Sequence, residues 1–141
     1  MARSLITLIN LLYFKGKYMP PSILIVEDSK TMRSLITTTL GESEDYNIVE
    51  AASGFDAMRE LPRIKFDLII TDINMPNING LELVSFVKSN ENYKEIPIII
   101  ISTEGSERDR EKGIKLGANE YLVKPFDPEE LQRVVKEILE K

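Results

Sequence analysis

From position 22 onward, apolar and polar residues alternate along this chain in two different rhythms. Three unbroken apolar runs, Ile23 to Val26, Leu68 to Ile70 and Ile98 to Ile101, are rich in β-branched residues. Such runs suit strands buried on both faces, because a strand with one wet face alternates apolar and polar positions instead. Asn47 to Ala51 and Tyr121 to Val123 are shorter candidates for two more strands. Between the runs the period lengthens to that of a helix, near 30–40, 54–61, 81–89, 106–116 and 128–140. In the last of these, Leu131, Val134, Val135 and Ile138 fall at i, i+3, i+4 and i+7, a single stripe to press on a sheet.

Local chemistry marks several boundaries. Ser53 with Asp56, and Asp127 with Glu130, sit at capping-box spacing, and Pro128 takes the first helical position, where its missing N–H costs nothing. Gly41 and Gly117 follow helical patterns as C-caps do. Five strand-then-helix units with right-handed crossovers predict a three-layer α/β domain over residues 22–141.

Ahead of this pattern, residues 1–21 read as an extension. Its apolar run, Leu5 to Phe14, lies between Arg3 and Lys15 and is too short to span a bilayer. It resembles the apolar centre of a secretory signal, yet Lys15, Gly16, Lys17 and Tyr18 stand where a small-residue cleavage site belongs. Three readings are open: a start upstream of a natural beginning at Met19, an extra helix packed on the domain or a partner, and a membrane-surface anchor.

Composition narrows the chemistry. A chain of 141 residues buries about two-thirds of its unfolded surface without staples. It has no cysteine, which removes disulfides, thiolate nucleophiles and cysteine zinc sites and fits a reducing, cytoplasmic setting. It has no histidine either, so no histidine-based nucleophile or phosphohistidine exists within it. A net charge of -5 opposes direct binding of nucleic acid, which needs a basic stripe, and no membrane partner is expected.

In an open parallel sheet, ligands bind outside the carboxyl ends of the strands. The residues there are Glu27 and Asp28 after the first strand, Asp72 after the third, Ser102 and Thr103 after the fourth, and Lys124 after the fifth. Singly, each has an ordinary reading: Asp28 and Ser29 as a helix cap, Asp72 as a solvated loop acid, Lys124 as a surface lysine. Jointly they put three carboxylates on one rim, where like charges repel unless a cation holds them.

Four segments, ILIVEDS, DLIITDINMPNINGLEL, IPIIIIST and GANEYLVKPF, resemble the motifs of the response-regulator receiver domain in type and order. The resemblance covers about residues 22–140, and 10–21 have no counterpart. It implies a flavodoxin-like (βα)5 fold with strand order 2-1-3-4-5, and a phosphoacceptor at Asp72. Mg²⁺ is then held by Asp28, Asp72 and the main-chain carbonyl of Asn74, with Glu27 reaching it through water, a hard-oxygen set that suits this ion. Lys124 neutralises the phosphoryl charge. Ser102 is the switch hydroxyl and Tyr121 the switch aromatic, whose ring turns inward once the phosphoryl group has drawn Ser102 and Lys124 towards it. Asn74, Glu104 and Thr103 tune self-dephosphorylation, and Lys124-Pro125 is expected to be cis.

A histidine kinase is the implied phosphodonor. The implied output is a protein target bound through the helix at 106–116, the fifth strand and the last helix. With no residues left for an output domain, a stand-alone receiver is expected. Two positions depart from the pattern: Glu27 replaces the more usual aspartate, and Thr103 stands where alanine or glycine is preferred. Two other readings remain. A haloacid-dehalogenase-like phosphatase also uses an aspartate nucleophile, but wants an acid where Asn74 stands. An unphosphorylated interaction module would bind its partner equally well with Asp72→Ala. A flavin site is disfavoured, since the first strand runs into acids where phosphate needs a cradle.

Overall fold

The computed structural model describes Leu5 and residues 19–141. The apolar run between Arg3 and Lys15 lies, apart from Leu5, outside the described residues. The elements alternate strictly: β1 (Ser22–Val26), α1 (Lys30–Gly41), β2 (Asn47–Ala51), α2 (Gly54–Glu60), β3 (Leu68–Thr71), α3 (Gly80–Ser89), β4 (Ile98–Ser102), α4 (Glu107–Leu116), β5 (Glu120–Val123) and α5 (Pro128–Leu139). All five predicted strands and all five helices are present.

The sheet order is β2-β1-β3-β4-β5, with every pair parallel. The chain steps outward from β1 to β2, then returns past β1 to β3, so the connections diverge between β1 and β3. Side chains alternate across the pleat, and the unbroken apolar runs therefore feed two cores at once. Leu24, Val26, Ile69, Ile98, Ile100 and Tyr121 pack on one face with Ala57, Leu83, Val84 and Val87 from α2 and α3. Ile23, Ile25, Ile70, Ile99 and Ile101 pack on the other with Ile36 and Leu40 of α1 and Leu131, Val134 and Val135 of α5. Burying each such side chain contributes about 1.5–3 kcal/mol, enough collectively to hold the rims of the sheet rigid.

The predicted stripe on α5 faces the sheet, and Ser53 accepts from the Asp56 N–H as its spacing implied. Three boundary details differ. Asp127 accepts from the Glu129 N–H rather than from Glu130, because Pro128 leaves Glu129 the first free donor of the helix. Gly41 is the last residue of α1 and not its cap; the Glu42 N–H still reaches the Thr38 carbonyl at 3.1 Å, carrying the helix one residue further. A complete capping box forms between Asn79 and Glu82, where asparagine takes the place of the serine or threonine usually sought. Among the described residues, no helix is long and apolar enough to cross a membrane.

Candidate functional site

Strand register brings the predicted residues to one rim. Val26 lies beside Thr71, Thr71 beside Ile100, and Ser102 beside Val123. The next residue of each strand is still tied to its neighbour. The Glu27 N–H donates to the Ala51 carbonyl at 3.0 Å, Asp72 to Val26 at 3.0 Å, and Lys124 to Ser102 at 2.8 Å. Backbone pairing thus places Glu27, Asp72 and Lys124 before any side-chain interaction is considered.

One carboxylate oxygen from each of Glu27, Asp28 and Asp72 lies within 4.8 Å of the others. The Lys124 Nζ donates to Glu27 Oε1 at 2.6 Å and sits 3.4 Å from Asp72 Oδ2. Main-chain donors take two more oxygens: the Ser29 N–H gives to Glu27 Oε2 at 2.9 Å, and the Ile73 N–H to Asp72 Oδ1 at 2.8 Å. Glu27 is 1% exposed and Asp72 7%, whereas Asp28 is exposed. Burial raises the Glu27 carboxyl above its ordinary value, against the hydrogen bonds from Lys124 and Ser29 that pull it down.

Three acids against one lysine leave the rim short of positive charge, which is costly where two of the acids are buried. The donors are hard oxygens, grouped closely enough for one ion to lie among them. The residues present therefore fit a small divalent cation. The close approach of α3 depends on Gly80: a Cβ there would lie 1.9 Å from the Asp72 carbonyl oxygen.

The remaining predicted residues surround this cluster. Ser102 is fully buried, and its Oγ accepts from the Glu104 N–H at 3.1 Å. Asn74 and Glu104 meet above the rim, the Asn74 amide donating to Glu104 Oε1 at 3.0 Å, and Thr103 is exposed beside them. The Lys124-Pro125 bond is cis. Tyr121 lies beneath the loop that carries Glu104. Its ring is already inward, 2% exposed, with the hydroxyl donating to the Glu104 carbonyl. Gly113 on α4 makes the room, since a Cβ there would be 3.2 Å from Tyr121 Cδ2.

Sequence reading missed Arg33. Its Nη1 donates to the Glu27 carbonyl at 2.7 Å while its Nε pairs with Glu50 Oε1 at 2.9 Å. A charged residue on a helix reads as solvated; only the placement of Arg33 and Thr37 one turn apart hinted that both could meet one partner.

The sequence profile described as "Response regulator receiver domain" matches residues 23–136, and this chain belongs to that family. It is 42% identical over 118 residues to the chemotaxis protein CheY1 of Helicobacter pylori, covering 83% of this chain and 95% of that protein. Among solved structures it is similar to a putative response regulator from Chloroflexus aurantiacus, with a TM-score of 0.82 and 34% identity, covering 86% of this chain and 99% of that one. It is also similar to the receiver domain of a Pseudomonas aeruginosa sensor histidine kinase, with a TM-score of 0.78 and 30% identity over 86% and 99% of the two chains. That domain was crystallised with a magnesium ion coordinated in its active-site cleft. The chain is accordingly a CheY-like receiver of the two-component signalling class, and its acidic cluster is in keeping with a phosphoacceptor site.

Proposed function

We propose that Asp72 accepts a phosphoryl group from a histidine kinase in the cytoplasm, and that the added charge resets a protein-binding surface on α4, β5 and α5. The receiver unit in this reading is residues 22–141, with 1–21 an extension outside it. The observation that carries the reading is the meeting of three carboxylates and Lys124 on one rim. Glu27, Asp28, Asp72 and the Asn74 carbonyl would hold Mg²⁺, which when bound neutralises charge on carboxylates and phosphoryl oxygens. The magnesium-bound relative at 30% identity supports that choice of ion.

An Asp72 carboxylate oxygen attacks phosphorus as the bond from phosphorus to the donor's imidazole nitrogen breaks, and the released imidazole takes up a proton. Lys124, already beside Asp72 Oδ2, stabilises the charge on the transferring group. The phosphoryl oxygens then compete for Ser102 and Lys124, drawing on the loop that Glu104 and Tyr121 also hold. Surface populations shift by the differential affinity of the two states, about 1–3 kcal/mol for couplings of this kind. Hydrolysis restores Asp72 when water attacks phosphorus, with Asn74, Glu104 and Thr103 at the entrance setting its access.

Incubation with acetyl phosphate and Mg²⁺ tests this. Intact mass is expected to rise by one phosphoryl group, with no rise for Asp72→Asn or in the presence of chelator. An unmodified wild-type protein after exposure to both acetyl phosphate and a phosphorylated kinase domain overturns the reading.

A further inference from the structure

Asp28 is the one acid of the cluster with no anchor of its own. Its carboxylate is exposed, and no hydrogen bond or ion pair among the described residues engages it, whereas Glu27 and Asp72 each hold main-chain donors and Lys124. The backbone alone therefore sets where its side chain starts, and with it the reach of the carboxylate. The Glu27 carbonyl and the Asp28 Cα belong to one rigid peptide unit, so a displacement of that unit carries Asp28 with it. That carbonyl lies past the end of the sheet ladder, and Arg33 Nη1 takes it at 2.7 Å.

Arg33 is in turn held by Glu50 on β2, and the other oxygen of Glu50 accepts from Thr37 Oγ1 at 3.0 Å. The guanidinium side chain is 15% exposed. Glu50 pairs in register with Ile25 of β1, two residues before Glu27. The brace thus runs from α1 to the edge strand and back to the peptide that aims Asp28. We propose that Arg33 is a positioning residue for the metal-binding acids, fixing the Glu27–Asp28 peptide so that Asp28 stays within reach of the ion. This rests on the metal reading of the site given above.

Charge and geometry make opposite forecasts, which renders the idea testable. Arg33→Met removes a cation near the acids, so electrostatics alone would tighten Mg²⁺ binding. Loss of positioning weakens it, by about tenfold, as for other groups that orient metal ligands without touching the metal. Calorimetric titration of the full chain with MgCl2 alone reads the sign. Amide exchange without metal gives a second measure: the Ser29 N–H, which donates to Glu27 Oε2, should exchange faster in Arg33→Met while the central strands keep their protection.

Arg33→Lys keeps the charge but reaches only one of the two partners. It should fall between wild type and Arg33→Met, and it carries the test alone if Arg33→Met fails to fold. Unchanged or tighter Mg²⁺ binding in the folded variant overturns the inference and leaves the metal reading standing. A folded wild-type protein that binds no Mg²⁺ overturns both, and that result precedes any use of a variant.

Discussion

The two ends of the sheet handle polar groups in opposite ways. At the amino end, side chains finish the backbone ladders. Asp67 accepts from the Ser22 N–H at 2.8 Å, Asn119 accepts from the Ile98 N–H at 3.0 Å, and Lys88 Nζ donates to the carbonyls of Lys94 and Ile96. Beside them opens a cavity of about 620 Å³ lined by Leu61, Ile64, Phe66, Tyr93, Ile96 and Pro97. At the carboxyl end the ladders close by themselves, and the side chains are left facing one another with surplus negative charge. The amino end is locally balanced in charge; the carboxyl end carries three acids against one lysine. Unmatched, partly buried charge, and not the apolar cavity, is what marks the carboxyl end as the candidate site.

That contrast makes glycine substitutions at the two ends unequal. Gly80→Ala forces a Cβ into the backbone of Asp72 and Ile73, which cannot rotate away. The expected cost is about 3 kcal/mol in urea unfolding, with acetyl phosphate labelling reduced as well because Asp72 itself is displaced. Gly117→Ala, at the amino end, imposes a positive φ of 122° and meets the Lys88 stem, a flexible neighbour. Its cost is about 2 kcal/mol, with labelling rate unchanged. Equal loss of labelling in both variants would abolish the distinction between the two ends.

A smaller effect sharpens the same point. Asn119→Ala strands the buried Ile98 N–H without its acceptor, at about 1 kcal/mol. Mg²⁺ affinity and labelling should stay at wild-type values, since β4 remains pinned by β3 and β5 along its length. A drop in Mg²⁺ affinity would show that strain travels along the strand from one end to the other.

The sheet was legible in the sequence because its central strands are apolar on both faces, a pattern that surface packing does not blur. Glu27, Asp72 and Lys124 were legible for a related reason: each follows a strand directly, so parallel register carries it to the rim, and Asp28 comes one residue after Glu27. Tyr121 and Arg33 were not. The direction of the Tyr121 ring depends on the missing Cβ of Gly113 on another element, and the bond from Arg33 ends on a carbonyl that has no sequence signature. Contacts between a side chain and a distant backbone group leave little trace in periodicity or spacing.

The finest test applies one substitution, Asp to Asn, at both ends. At the amino end, Asp67→Asn keeps an acceptor for the Ser22 N–H but removes its charge, so stability should fall slightly. At the carboxyl end, Asp28→Asn removes one of three mutually repelling charges and breaks no hydrogen bond among the described residues. Metal-free stability should therefore rise, by less than about 1 kcal/mol given the exposure of Asp28. Saturating Mg²⁺ reverses the order. A cation at one hundred times its dissociation constant adds about 2.7 kcal/mol to a protein that binds it, and Asp28→Asn should lose most of that gain. Thermal melts with and without MgCl2 measure both signs, and a metal-free Asp28→Asn protein less stable than wild type would mean that the three acids do not repel one another as their spacing requires.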